Sequence, residues 1–148
     1  MIGMLKYLLF LSSLLLLTNP SNPPGSTSTV TVRISGFRNT SGNVRMGLYT
    51  SQSTFKDDIP AKRLIIPKST IQNGVLTTTL DLPAGTFGFA MLDDENANNE
   101  MDYGFLLPNE GFGFSNYVHS GLSRPSFDDF KFTVNGQALT VNVKVSYM

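Results

Sequence analysis

Cysteine is absent from this 148-residue chain and histidine occurs once. Disulfides, thiolate metal sites, cysteine nucleophiles and a lipidated amino-terminal cysteine are thereby excluded, while the redox compartment stays open. The one histidine, His119, is the only ordinary acid or base near neutral pH. Ser120 and Ser123 lie close to it, but no nucleophile elbow accompanies them, so no serine triad is expected and His119 reads as a surface-loop residue. Formal net charge is zero and the pI is about 6.5, so the basic stripe of a nucleic-acid binder is missing as well. Positive charge is also lacking locally, because no Lys or Arg occurs between Lys68 and Arg124.

Long apolar runs are scarce. Lys6 precedes the one that stands out, Tyr7 to Leu17, broken only by Ser12 and Ser13 and followed by a stretch rich in Pro, Ser, Thr and Asn up to Thr29. This is the layout of a secretory signal, and it falls short of the ~20 apolar residues that a spanning helix needs. The expected organisation is a signal peptide over 1–20, a disordered leader over 21–28 and one domain over 29–148. Such a protein is exported, periplasmic or extracellular, with no membrane span in its mature form.

From Thr29 the chain alternates. Val30, Val32 and Ile34 point one way while Thr31, Arg33 and Ser35 point the other; beyond the turn residues Asn39 to Asn43, Val44, Met46 and Leu48 alternate with Arg45, Gly47 and Tyr49. These two segments are expected to form a hairpin. Ser51 to Asp58 suits one capped helical turn plugged by Phe55 and ended by Pro60. Leu64 to Ile66, Val75 to Leu82, and the strand carrying Phe87, Phe89 and Met91 follow, with Asn73–Gly74 as a tight turn. Tyr103 to Tyr117 is too irregular to read as a strand. Asn135–Gly136 then joins Phe130–Val134 to the most regular strand, Leu139 to Tyr147, which is expected to end inside the sheet system because it would otherwise leave an open edge. Short strands, frequent turns and no long helical period predict an all-β antiparallel sandwich of about seven strands, with long loops at one end.

The run Asp93 to Asp102 concentrates oxygen donors inside the cation-free gap. Asp94, Asn96, Asn98 and Asp102 fall at relative positions 1, 3, 5 and 9, the spacing with which a loop wraps a hard cation, and Glu100 adds a backbone carbonyl. Crowded carboxylates repel one another, a cost that calcium would cancel. The alternative is a plain turn, since Asp and Asn also favour turns. Asp93, Glu95 or Glu110 would complete the shell. Position 12 is Phe105 rather than a bidentate Glu, so binding is expected to be weak.

Gly111 to Asn116 interleaves glycine with aromatic rings. Two readings stand side by side: a packed loop closing one end of the sandwich, or a ligand surface where Tyr103, Phe105, Phe112, Phe114 and Tyr117 offer faces to a peptide or glycan and Ser115 and Asn116 offer hydrogen bonds. Arg124 is expected to pair with Asp128 or Asp129.

The run from Leu82 through Asp102 and the motif Pro108, Glu110, Gly111, Phe112, Gly113, Phe114, Ser115, Asn116, with Pro125 to Asp128 beyond it, resemble a family of exported bacterial proteins called domain of unknown function 2141. The likeness runs from about Val30 to the carboxyl end. It implies an immunoglobulin-like or transthyretin-like sandwich and carries Asp94, Asn96, Asn98 and Asp102 over as an oxygen set. Ala97 and Asn99 stand where the family usually has glycine, and Asp93 where it often has histidine. Asn99 suits a sharp turn, since Asn tolerates left-handed backbone.

Together these readings predict an exported, non-enzymatic sandwich, calcium-stabilised, that binds a protein, peptide or glycan. The alternatives are a carboxylate-based hydrolase acting on a glycan, or a purely structural domain that packs against a partner chain.

Overall fold

The structure is a computed structural model that describes residues 25–148, so the expected signal segment and residues 21–24 of the leader lie outside it. Strand β1, Thr27–Ser35, starts within the expected leader and already buries Ser28. The elements that follow are β2 Asn43–Tyr49, α1 Gln52–Lys56, β3 Lys62–Pro67, a 3-10 turn Lys68–Thr70, β4 Val75–Pro83 and β5 Gly85–Asp94. Then come β6 Gly111–Phe114, α2 Phe127–Phe130, β7 Phe132–Val134 and β8 Leu139–Lys144. Eight strands make an all-β sandwich, against the seven expected.

One sheet runs β4-β1-β8 and the other β3-β2-β5-β6, with β7 pairing the start of β5. The inward residues of both sheets, among them Val30, Val32, Val44, Met46, Phe89 and Val141, form one core. This is the burial that the alternating pattern calls for.

The expected hairpin of the first two strands is corrected. β1 and β2 do not pair; they lie in opposite sheets, and the 36–42 connection crosses the end of the sandwich. Alternation defines which face of a strand is apolar, but two facing strands bury the same pattern as two adjacent ones. Gly36 and Gly42, both at positive φ, make the crossing possible. Asn73 and Gly74 do form a tight turn at positive φ, but it closes a single bridge, Gln72 to Val75, because β3 and β4 also belong to different sheets. β7 and β8 are likewise unpaired with each other. β8 instead runs parallel to β1, Val30 opposite Leu139, the one parallel strand pair among the described residues.

β8 ends its sheet rather than lying inside it, so the expectation for the last strand is corrected too. Its outer edge is nonetheless occupied. Phe112 and Ser146 exchange backbone hydrogen bonds, and Asn116 donates its N–H to the Asn142 carbonyl while its side chain accepts from Asn142 N–H. The irregular aromatic stretch thus contains a strand, β6, that seams the two sheets together.

Outside the main core, the outer face of the larger sheet carries a second, aromatic cluster of Tyr49, Phe55, Phe112, Phe114, Phe127 and Phe130, gathered under α1 and α2. Ser51 caps α1 in a reciprocal capping box with Thr54, and Phe55 is buried, as the sequence predicts. Gly88 is needed beneath α2, because a Cβ there would stand 2.6 Å from the Phe130 ring.

Candidate functional site: an acidic loop and an apolar groove

β5 ends in Asp93 and Asp94, one side chain on each face of the strand. Asp94 is buried, and its two carboxylate oxygens accept from the N–H groups of Asn98 and Asn99 at 3.1 and 2.9 Å. Asn96 Oδ1 accepts from Asn98 N–H, and Asn98 Oδ1 from Glu100 N–H. The amide groups of Asn96 and Asn98 both donate to the Asp102 carboxylate. Asp94, Asn96, Asn98 and Asp102 are therefore brought together in one hydrogen-bonded ring. Glu100 joins it through its backbone N–H, as the bond to Asn98 Oδ1 shows, while its residue also lines the neighbouring groove. Ala97 and Asn99 sit at φ +58° and +69°, the left-handed backbone that glycine favours.

The proposed shell-completing acids are otherwise engaged. Glu110, buried, accepts from Glu95 N–H with one oxygen and Asp102 N–H with the other, tying the loop's entry to its exit. Glu95 holds a two-point contact with Arg38, both bonds 2.7 Å, and that guanidinium keeps the Glu95 carboxyl below its ordinary pKa. Asp93 faces the fully buried Lys68 at 2.6 Å; the ammonium meets it as an ion pair and directs its hydrogen bond to Asn39 Oδ1 at 2.9 Å. Tyr147 donates to the second Asp93 oxygen, Asn39 donates to Glu95, and Arg38 N–H donates to the Tyr147 oxygen. A closed circuit of two cations and two anions thus underlies the loop. Part of the repulsion inferred from the cation-free gap is relieved by residues far away in sequence.

What remains for an ion is the ring itself: carboxylates from Asp94 and Asp102, and amides from Asn96 and Asn98. Among the described residues no group of three or more His, Cys, Asp or Glu side chains converges as a metal shell. The ring instead mixes carboxylates with amides, hard oxygen donors of the kind calcium takes. Turning either Asn amide about its last bond would replace its NH2 with its oxygen at the Asp102 carboxylate.

The same segment builds one wall of a groove of about 1310 Å3 on the outer face of the larger sheet. Strand register sets its floor. Arg45, Leu92 and Phe112 lie in one row across β2, β5 and β6, and Gly47, Ala90 and Phe114 in the next. Gly47 makes room for the Tyr49 ring, which a Cβ there would meet at 2.8 Å, and Ala90 is small, so the floor dips at Ala90. One end is closed by Tyr49 and Phe55 with Arg124, whose guanidinium lies 3.9 Å over the Phe55 ring and donates to the Phe55 carbonyl at 2.6 Å. Arg124 does not pair with Asp128 or Asp129, which bond Lys131 and cap Ser126 instead. The other end is the tight turn at 104–107, where Gly104 N–H bonds the Leu107 carbonyl and leaves Phe105 98% and Leu106 81% exposed.

His119 is not the surface residue expected. It is half-buried, its ring about 6 Å from those of Phe112, Phe114 and Tyr117, and it lines the groove. Of the residues expected to meet a ligand, Tyr103, Phe112 and Phe114 line the groove, the last two mostly buried in the aromatic cluster. Ser115 and Asn116 do not. Ser115 is fully buried, accepting from Phe89 N–H and donating to the Phe130 carbonyl, and Asn116 is committed to the β8 edge. The aromatic stretch therefore packs against the core on one side and lines the groove on the other.

Arg45 escaped the sequence reading as a site residue. Its signal was faint: in β5 the face opposite the core reads Gly88, Ala90, Leu92, too apolar to be wet. Only Asp58 and Glu100 bring carboxylates to the groove, and Asp58 is engaged by Tyr49 and Arg63. A pair of free carboxylates held across a cleft, as glycan hydrolysis requires, is not among the described residues.

The family model described as uncharacterized protein conserved in bacteria (DUF2141) matches residues 32–142. No curated protein and no solved structure matches the chain significantly. The matched span covers both sheets, the acidic loop and most of the groove.

Proposed function

The chain belongs to this DUF2141 family, and we propose that it is an exported, non-enzymatic binding module whose groove takes a ligand against a wall ordered by calcium. The observation that carries the reading is continuity: the loop that rings Asp94, Asn96, Asn98 and Asp102 runs without a break into Met101, Tyr103, Leu106 and Leu107, which line the groove. An ion that tightens the ring would thereby set the position of the wall.

Calorimetric titration of the purified protein, with thermal melts in calcium and in chelator, tests it. Lacking a Glu at position 12, the loop should bind with Kd on the order of 0.1–1 mM, and calcium at tenfold above Kd should add about 1.4 kcal/mol to folding. Asp94→Ala should abolish the response. No heat and no melting shift at millimolar calcium would retire the ion and leave the groove to be tested alone. The exposed Phe105, Leu106 and Leu122 favour a second reading, packing against a partner chain, which light scattering of the purified protein would reveal as a stable oligomer.

A further inference from the structure

Arg45 projects from the middle strand of the groove floor, between Ile65 on β3 and Leu92 on β5. Its Nε is buried without a hydrogen-bond partner, and Arg45 belongs to none of the four ion pairs among the described residues. The other cations near the groove are engaged: Arg63 contacts Asp58, and Arg124 is held by the α1 carbonyls. Across the floor, His119 Nδ1 is also buried and unpartnered. Leaving one buried polar nitrogen unsatisfied is costly, and a guanidinium among apolar neighbours more so. Here both residues line one groove.

The rest of the lining mixes aliphatic and aromatic side chains with a few polar ones, Asn99 and Glu100 among them. Ala90 and Leu92 form the floor, Met101, Leu106 and Leu107 one wall and Leu122 another, while free hydrogen-bonding side chains are few. A glycan, which needs many polar partners, would be poorly served. An extended apolar chain ending in one anion would satisfy Arg45 and cover the apolar part of the lining. The volume exceeds the roughly 300–1,000 Å3 of an ordinary small-molecule pocket, which suits a long chain.

Resting on the reading of the groove as the ligand site, we infer that it binds a single-chain amphiphile whose anionic head, a carboxylate or a phosphate monoester, pairs with Arg45 while its acyl chain lies over Ala90, Leu92 and Met101. The head group would lie within reach of His119, and the exposed Phe105 and Leu106 would close over the chain.

The test is displacement of a fluorescent fatty acid, dansylaminoundecanoate, from the purified protein by palmitate, hexadecyl phosphate, hexadecanol and hexadecyltrimethylammonium. The anions should compete, and the alcohol and the ammonium should be about 10- to 100-fold weaker, the range for losing one charged hydrogen bond. Palmitate against hexadecyl phosphate distinguishes the two heads. Arg45→Met, which keeps the stem, should weaken the anions by the same factor and leave the alcohol unchanged, while Arg45→Lys should restore part of the loss. Equal competition by all four chains in the unaltered protein would overturn the anionic assignment, with no variant required, while sparing the groove. Failure of the probe to bind, or binding undiminished by Ala90→Trp in a variant that melts normally, would overturn the groove reading itself. Capture of a peptide in preference to any amphiphile would also refute the inference.

Discussion

Lys68 Nζ and Asp93 Oδ1 lie 2.6 Å apart with neither side chain exposed to solvent at all. Lys68 opens the 3-10 turn after β3 and Asp93 closes β5, so the pair ties an edge of the larger sheet to the root of the acidic loop. An ion pair so placed contributes more to holding one geometry than to net stability, since both charges have left water.

Removing one partner should therefore be worse than removing both. Lys68→Met is expected to cost about 3–5 kcal/mol by leaving Asp93 buried and uncompensated, whereas Lys68→Met with Asp93→Leu should recover at least half of that. Urea unfolding of the two single variants and the double variant checks it. Additive losses would show that the two residues do not depend on each other.

Backbone conformation in the loop gives the opposite sign. Ala97 holds φ +58°, a region that costs a residue with a Cβ roughly 1–2 kcal/mol, so Ala97→Gly should raise stability by about 0.5–1 kcal/mol after the added entropy of the unfolded chain. Gly42 is the reverse case. A Cβ there would meet the Asp94 carbonyl at 2.0 Å, so Gly42→Ala should cost more than about 2 kcal/mol and, by displacing Asp94, lower any calcium affinity. Thermal melts of both variants suffice.

Acid should loosen the base of the loop. Hydrogen bonding and charge from Arg38 hold the Glu95 carboxyl below its ordinary pKa of 4.5. The native state therefore binds this proton less readily than the unfolded chain, and the stability that results is present above that value and lost as pH falls through the lower folded one. Arg38→Gln should be less stable than the parent at pH 7, and the gap should narrow as pH drops below the ordinary glutamate range. A gap that does not change with pH would mean that Arg38 acts through its stacking on Tyr147, whose ring lies 4.5 Å away.

Alkali should act on two phenols. Burial, reinforced by its bond to Asp58, pushes Tyr49 up to about 12, and burial with the bond to Asp93 raises Tyr147 as well. Both stay protonated in the fold beyond the pH at which they ionise in the unfolded chain, so stability present below pH 10 should decline as pH climbs through the higher folded values. Phenolate absorbance should show late-titrating tyrosines. Tyr49→Phe should remove the step near 12, and its persistence would contradict the assignment.

Much of the architecture was legible one strand at a time. Val30, Val32 and Ile34, like Val44, Met46 and Leu48, are buried where alternation places them, and the capped turn at Ser51 and the left-handed Asn73–Gly74 follow from local chemistry. Partnership was not legible, because a period of two says which face is apolar and not which strand lies beside it. The sandwich therefore emerged while the hairpin of the first two strands did not. At the site, the grouping of Asp94 with Asn96, Asn98 and Asp102 follows from a short stretch of chain and was readable. The cations beneath them, Lys68 and Arg38, arrive through tertiary folding, and so the charge deficit looked larger than it is. Arg45 was invisible for the same reason: an outward-facing arginine ordinarily meets water, and its enclosed Nε is a product of tertiary packing.

The parallel pairing of β1 with β8 has a bearing on synthesis. Val30 must find Leu139, so β1 keeps one bare edge until β8 has been synthesised. Contacts so distant along the chain make folding slow. A polypeptide that cannot complete its fold early stays threadable, and vulnerable to aggregation, for as long as its carboxyl-terminal strand is missing.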